Sequence, residues 1–147
     1  PVRPGGPELL IGATGPRSLA RVGRFAGGVT TWSFSADPVE TRGMFDIVER
    51  SWKEHDRPGR PRLVCGCYFS AGPNAAGDLE RYFREYYPHV LPGQVDSLLR
   101  AVRTVTPEAI QAVVREFEDI GCDEFIFVPV KTDLAHLDHL AEIVGLA

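Results

Sequence analysis

Lysine is nearly missing from this chain, which has two, Lys53 and Lys131, against fourteen arginines. That imbalance reads as coding bias and carries little chemistry by itself. No run of basic residues occurs, and none is interleaved with aromatics. With a net charge of −4 and a pI near 5.6, the sequence argues against nucleic acid as a partner. No apolar run approaches the length of a membrane span, so no membrane is expected. The opening Pro1-Val2-Arg3-Pro4-Gly5-Gly6-Pro7 lacks the charged and apolar regions of a signal peptide, and a cytoplasmic protein is expected. Low-complexity segments and dividing linkers are also missing, which leaves one domain over residues 1–147. That length suffices for a packed core.

Cysteine is scarce too. Cys65 and Cys67 lie two apart in the apolar run Leu63 to Phe69, where a strand would point both the same way, and Cys122 follows Gly121. Neighbours on one face of a strand are badly placed for a mutual bridge. There is no Cys-x-x-Cys and no histidine at ligand spacing, so buried reduced thiols are expected and no metal site.

The most informative stretch present is Leu9-Leu10-Ile11-Gly12-Ala13-Thr14-Gly15-Pro16-Arg17-Ser18. A short aliphatic strand runs into a loop with two glycines, and Pro16 suits a first helical position, where no N–H is needed. Unpaired amides and the positive end of the following helix would face an anion such as phosphate. An ordinary tight strand-to-helix turn would have the same sequence.

Strand and helix patterns alternate through the rest. A helix is expected over about residues 16–26, a strand at Val29 to Trp32, and a helix from Pro38 through Phe45, Val48 and Trp52 to near His55. Leu63 to Phe69 is a strand apolar on both faces, which belongs inside a covered sheet. Residues 75–89 and 95–102 read as helices. Thr106 as N-cap and Pro107 then start a helix striped by Ile110, Val113, Val114, Phe117 and Ile120. Glu124 to Val130 is the fourth strand, with Phe125, Phe127 and Val128 expected in the core. Asp133 caps a last helix that turns Leu134, Leu137, Leu140, Ala141 and Val144 inward and leaves His136 and His139 in solvent. Four strands alternating with helices imply α/β architecture with a parallel sheet, about half of a (β/α)8 barrel.

The Leu10 to Pro16 loop, the helix Arg17 to Phe25, the Ala26-Gly27-Gly28-Val29 turn into Trp32, and Thr106-Pro107-Glu108-Ala109 followed by Gly121-Cys122-Asp123-Glu124 together resemble the C-terminal half of the bacterial luciferase-like monooxygenases. The resemblance covers essentially the whole chain. It implies a TIM-barrel fold of which this chain supplies half. It also implies flavin- or deazaflavin-dependent oxidoreductase or monooxygenase activity on a small-molecule substrate, with FMN or coenzyme F420 as cofactor. On the same ground the cofactor phosphate would be cradled by Gly12, Ala13, Thr14, Gly15, Pro16, Arg17 and Ser18. Ala13 replaces a glycine common in the family, and Gly27 an aspartate. The family's N-terminal half, which carries most ring and catalytic contacts, is not in this sequence, so no catalytic residue can be assigned. The chain is either part of a longer enzyme or a natural half-length protein.

A barrel's active-site face is built at the C-terminal ends of its strands, here Trp32 and Ser33, Phe69 and Ser70, and Val130 and Lys131. Lys131 could meet an anion there or be an exposed loop charge. The pairs Tyr82-Phe83 and Tyr86-Tyr87 suggest packing or a partner surface. Two other readings stand. One is a non-catalytic half-barrel that binds or oligomerises. The other is a nicotinamide-dinucleotide domain, for which the third glycine is replaced by Ser18 and the acidic residue after the second strand would be Asp37. A half-barrel leaves two open strand edges, so a homo-oligomer, or the missing half of the same protein, is the expected partner.

Overall fold

A computed structural model describes residues 6–146; Pro1 to Gly5 of the proline- and glycine-rich N-terminal stretch lie outside the described residues. Four strands, β1 (Leu10–Gly12), β2 (Gly28–Trp32), β3 (Arg62–Phe69) and β4 (Glu124–Pro129), form one parallel sheet in the order β1-β2-β3-β4. Sequential parallel neighbours need crossover connections, and helices supply them. These are α1 (Pro16–Leu19) and α2 (Val22–Phe25) after β1, and α3 (Pro38–Glu54) after β2. After β3 come α4 (Ala75–Tyr86), a 3-10 turn at Tyr87–His89, α5 (Val95–Ala101) and α6 (Pro107–Asp119); α7 (Leu134–Val144) follows β4. This is the α/β architecture of half a (β/α)8 barrel.

Strand alternation sorts the side chains into two cores. On one face Val29, Leu63, Cys65 and Cys67 pack beneath Leu19, Val22, Phe45, Val48, Val113 and Phe117 of the outer helices. Gly23 permits α2 to reach α3, because a β-carbon there would lie 2.2 Å from the Ser51 carbonyl oxygen. The Gly23 amide instead donates to Ser51 Oγ at 3.1 Å. On the other face, Tyr68 and Val130 at the strand exits are covered by Leu79, Phe83, Tyr87 and Val102 of the α4–α5 excursion.

The expected helix over residues 16–26 is two short helices joined at Ala20 and Arg21, with Gly15 as N-cap and Pro16 in the first turn. Asp37 and Thr106 cap as their helices require: Asp37 Oδ1 accepts from the Val39 amide at 2.8 Å, and Thr106 Oγ1 from the Ala109 amide at 3.3 Å. Two expectations at the C-terminal end fail. Phe125, Phe127 and Val128 are only half-buried, because β4 pairs on one side alone among the described residues. In α7, Leu134 and Leu137 are exposed while His136 is buried. The helix turns its imidazole toward the exit of β3, where it lies 5.1 Å from the Phe69 ring and Nε2 accepts the Ala71 amide.

Candidate functional site

The β1–α1 loop is held from below and open above. Ala13 is buried: its methyl joins the outer core and its N–H donates to Thr30 O at 3.1 Å. Leu19 anchors the far end in the same core. Gly12, Thr14, Gly15, Pro16, Arg17 and Ser18 are exposed. The Ser18 and Leu19 amides both donate to Gly15 O at 3.0 Å. This leaves the amides of Thr14, Gly15 and Arg17 without an acceptor among the described residues. Backbone donation by Ala13 and Ser18 is therefore already spent within the protein. The donors free to meet a ligand are three amides, the hydroxyls of Thr14 and Ser18, and the Arg17 guanidinium.

The two loop glycines contrast with those that the fold requires. A β-carbon on Gly12 or Gly15 would meet nothing within 4 Å. Gly15 has φ −81° and ψ 140°, ordinary extended backbone that any residue adopts. Neither packing nor backbone conformation in this chain asks for glycine there, whereas Gly23 has no room for a side chain. Space beside unpaired amides is what a phosphate needs to approach a backbone. The donor set and the free space thus fit a phosphate group.

At the strand exits an aromatic wall closes the side of β2 and β3. Trp32 stands edge-on to Tyr68 at 4.8 Å, and Phe34, Tyr82, Phe83 and Tyr87 surround Tyr68. Its phenol oxygen accepts from Tyr87 Oη at 3.1 Å and lies 3.5 Å from Tyr82 Oη. Burial pushes the Tyr68 phenol up to about 12, against the Tyr82 hydrogen bond that lowers it, so it stays neutral. Tyr82, Phe83 and Tyr87 of the two pairs thus contribute to this wall, whereas Tyr86 is exposed and stacks on Tyr82 from outside it. Ser33 is buried; its Oγ accepts the Asp37 amide at 3.1 Å and lies 3.3 Å from Glu40 Oε2. Lys131 lies 3.7 Å from Asp78 Oδ2 and 3.5 Å from Asp133 Oδ2, so acidic side chains already face its ammonium. The Asp37 carboxylate, the candidate ribose ligand of a dinucleotide domain, is engaged as a helix cap.

Several rim features had no signal in the sequence. Ala36, after β2, has φ 49°, a left-handed conformation unusual for alanine. Arg103 pins that turn, donating to Ala36 O at 2.6 Å and Ser35 O at 3.2 Å while pairing with Glu116. The contact spans 67 residues, beyond any local pattern. Among the described residues no cluster of His, Cys, Asp and Glu could hold a metal ion, and no helix is long and apolar enough to cross a membrane.

A sequence model of the luciferase-like monooxygenases matches residues 1–144. The fold is similar to an F420-dependent secondary alcohol dehydrogenase solved with an F420-acetone adduct, at TM-score 0.73 and 15% identity over 96% of this chain and 49% of that one. It is also similar to the apo form of MsnO8, at TM-score 0.67 and 17% identity over 99% and 53% of the two chains. A third likeness is to the coenzyme F420-dependent tetrahydromethanopterin reductase of Methanopyrus kandleri, at TM-score 0.55 and 15% identity over 91% and 48%. The chain spans about half the length of each of these structures. No curated protein matches it by sequence.

Proposed function

The chain belongs to the luciferase-like monooxygenase family, and from that premise we propose that it is the cofactor-phosphate half of a flavin- or deazaflavin-dependent oxidoreductase acting on a small molecule. The observation that carries the proposal is the β1–α1 loop. Gly12 and Gly15 leave space that none of the described residues uses, beside the amides of Thr14, Gly15 and Arg17, which have no acceptor among them. In this reading those amides and the Thr14 and Ser18 hydroxyls hold the phosphate, Arg17 adds charge, and Ala13 and Pro16 shape the loop. When bound, FMN or F420 supplies the hydride chemistry, and the protein's part is to place the ring and exclude water. The aromatic wall from Trp32 to Tyr87 would serve exclusion on the β2–β3 side. The remaining walls must come from chain that completes the barrel.

The test uses the complete barrel, either the longer protein that contains this chain or its completed oligomer, titrated in parallel with FMN and F420. Saturable binding of one cofactor is expected. Binding of neither would favour the non-catalytic half-barrel.

A further inference from the structure

The chain has two tryptophans, and their indole N–H groups fare differently. Trp52 Nε1 donates to Pro58 O at 3.2 Å. Trp32 Nε1 has no acceptor among the described residues, and it is open to solvent, since Ser70 Oγ is the one fully buried side-chain nitrogen or oxygen among them without a partner. The sheet places this donor on the inside of a barrel. Leu63, Cys65 and Cys67 of β3 face the outer helices. Gly66 and Tyr68 therefore face the other way, and Trp32 pairs with Gly66 in register and lies over it. That face lines the lumen of a (β/α)8 barrel, and Trp32 ends β2, at the rim where such barrels assemble their sites.

The indole is held in place. A β-carbon on Gly66 would lie 3.1 Å from Cζ3 of Trp32, so glycine is what lets the ring lie against the strand. Tyr68 meets the ring edge-on at 4.8 Å and Phe34 at 6.0 Å. A tryptophan N–H that becomes enclosed normally finds a partner, because giving up water without one is costly. Completion of the barrel encloses Trp32, so its donor calls for an acceptor on whatever the lumen holds. The charges beside these exits are taken: Lys131 stands between Asp78 and Asp133, and Arg103 pairs with Glu116. Neither cation is left for an anionic ligand, and the lining at Trp32 is aromatic.

We propose that Trp32 is a ligand-binding residue of the completed barrel, donating its indole N–H to a neutral carbonyl oxygen. This rests on the proposed function, because the ligand lies in the lumen that the rest of the barrel encloses. The oxygen belongs to a ketone or aldehyde substrate or to a carbonyl of the cofactor ring, which present the same acceptor. A carboxylate would leave its charge uncompensated at this wall, and an ammonium offers no acceptor.

The test follows the Trp32 indole N–H resonance in the complete barrel during titration with FMN, F420, cyclohexanone, cyclohexanecarboxylate and cyclohexylammonium. A saturable downfield shift is expected with a cofactor if the acceptor is in its ring, and with cyclohexanone, added alone or to the cofactor-loaded protein, if the acceptor is in the substrate. Where the ketone is the ligand, the carboxylate should bind at least about tenfold more weakly and the ammonium should leave the resonance unmoved. Trp32→Phe keeps an aromatic ring and removes the donor. It should weaken whichever ligand moved the resonance by about three- to tenfold, the range of one neutral hydrogen bond. A resonance that neither cofactor nor the ketone moves, a carboxylate bound as tightly as the ketone, or affinities unchanged in folded Trp32→Phe would overturn the proposal. If that variant does not fold, the parent resonance decides. Failure of both cofactors to bind would count against the proposed function, and the ketone titration still reads Trp32.

Discussion

The Ala71 amide donates to Nε2 of His136 at 3.3 Å, tying the exit of β3 to the last helix. A backbone N–H donates only to a ring nitrogen that carries no proton, so Nε2 is the acceptor in this contact. It is 4% exposed and stacks obliquely on Phe69. His136→Leu keeps the apolar contact but strands the Ala71 amide, and should cost about 1–3 kcal/mol. Urea unfolding of the two proteins checks this; a loss near zero would mean water reaches Ala71 and the tie is dispensable.

The two strand thiols make an alkaline prediction. Burial pushes both Cys65 and Cys67 up to about 12 from an ordinary value of 9.0, against hydrogen bonds from Thr41 and Thr104 that lower them. The folded state keeps these protons where the unfolded chain has lost them. Stability from the thiols is therefore full below about pH 9 and falls toward about pH 12, by up to about 1.4 kcal/mol per pH unit for each. Tyr68, also pushed up to about 12, adds to the fall above its ordinary value of 10.0. Replacing both cysteines with alanine lowers stability throughout but should flatten the slope between pH 9 and 10, measured by denaturant unfolding across that range. In the folded protein at pH 8, half-buried Cys122 should react with iodoacetamide before either of them.

An edge strand and a covered strand should respond differently to truncation. Phe127 is half-buried, wedged between Phe69 at 5.8 Å and Phe125 at 4.9 Å, whereas Phe45 is fully buried under the sheet. Phe45→Ala should cost about 3–5 kcal/mol, as for a packed core phenylalanine. Phe127→Ala should cost about half of that in the chain alone, and approach the full value once the β4 edge is covered. Equal losses at the two sites in the isolated chain would show that the edge is already closed.

Local signals carried most of the fold. Pro38 after Asp37 and Pro107 after Thr106 start helices where the capping side chains say they should, and the unbroken apolar run of β3 is buried on both faces. What failed was decided by neighbours outside the local pattern. The periodicity of α7 gives Leu134 and Leu137 an apolar face, but that face has no covering layer in this half-barrel, and His136 takes the buried position through a contact 65 residues away. The β1–α1 loop was legible as a strand-to-helix turn with glycines. That Ala13 and Ser18 spend their amides within the fold depends on pairing with β2 and on the tight first turn of α1, which spacing alone does not reveal.

Among the described residues both edges of the sheet are open, since β1 and β4 each pair on one side only. Beside β4, an apolar groove runs between α6 and α7 past Phe117, Phe125, Phe127 and Leu140. Exposed edges and apolar surface favour association. The isolated chain should therefore sediment as a dimer or larger species at micromolar concentration, unless the rest of a barrel is supplied. A monodisperse monomer that binds no apolar-surface dye would refute this.

The cofactor assignment stands or falls on Gly15. Its β-carbon would enter open space, and its backbone is ordinary extended chain, so Gly15→Val should fold with stability within about 1 kcal/mol of the parent. A branched side chain there would fill the space a phosphate needs beside the Thr14 and Arg17 amides. In the complete barrel, affinity for FMN or F420, whichever the parent binds, should drop by about a hundredfold or more, equivalent to about 2.7 kcal/mol. Gly23→Ala supplies the opposite control: it collides with the Ser51 carbonyl and should destabilise the fold while the properly folded fraction keeps its affinity. Unchanged cofactor affinity in folded Gly15→Val would remove this loop from the site and direct the search for the phosphate to the other strand exits.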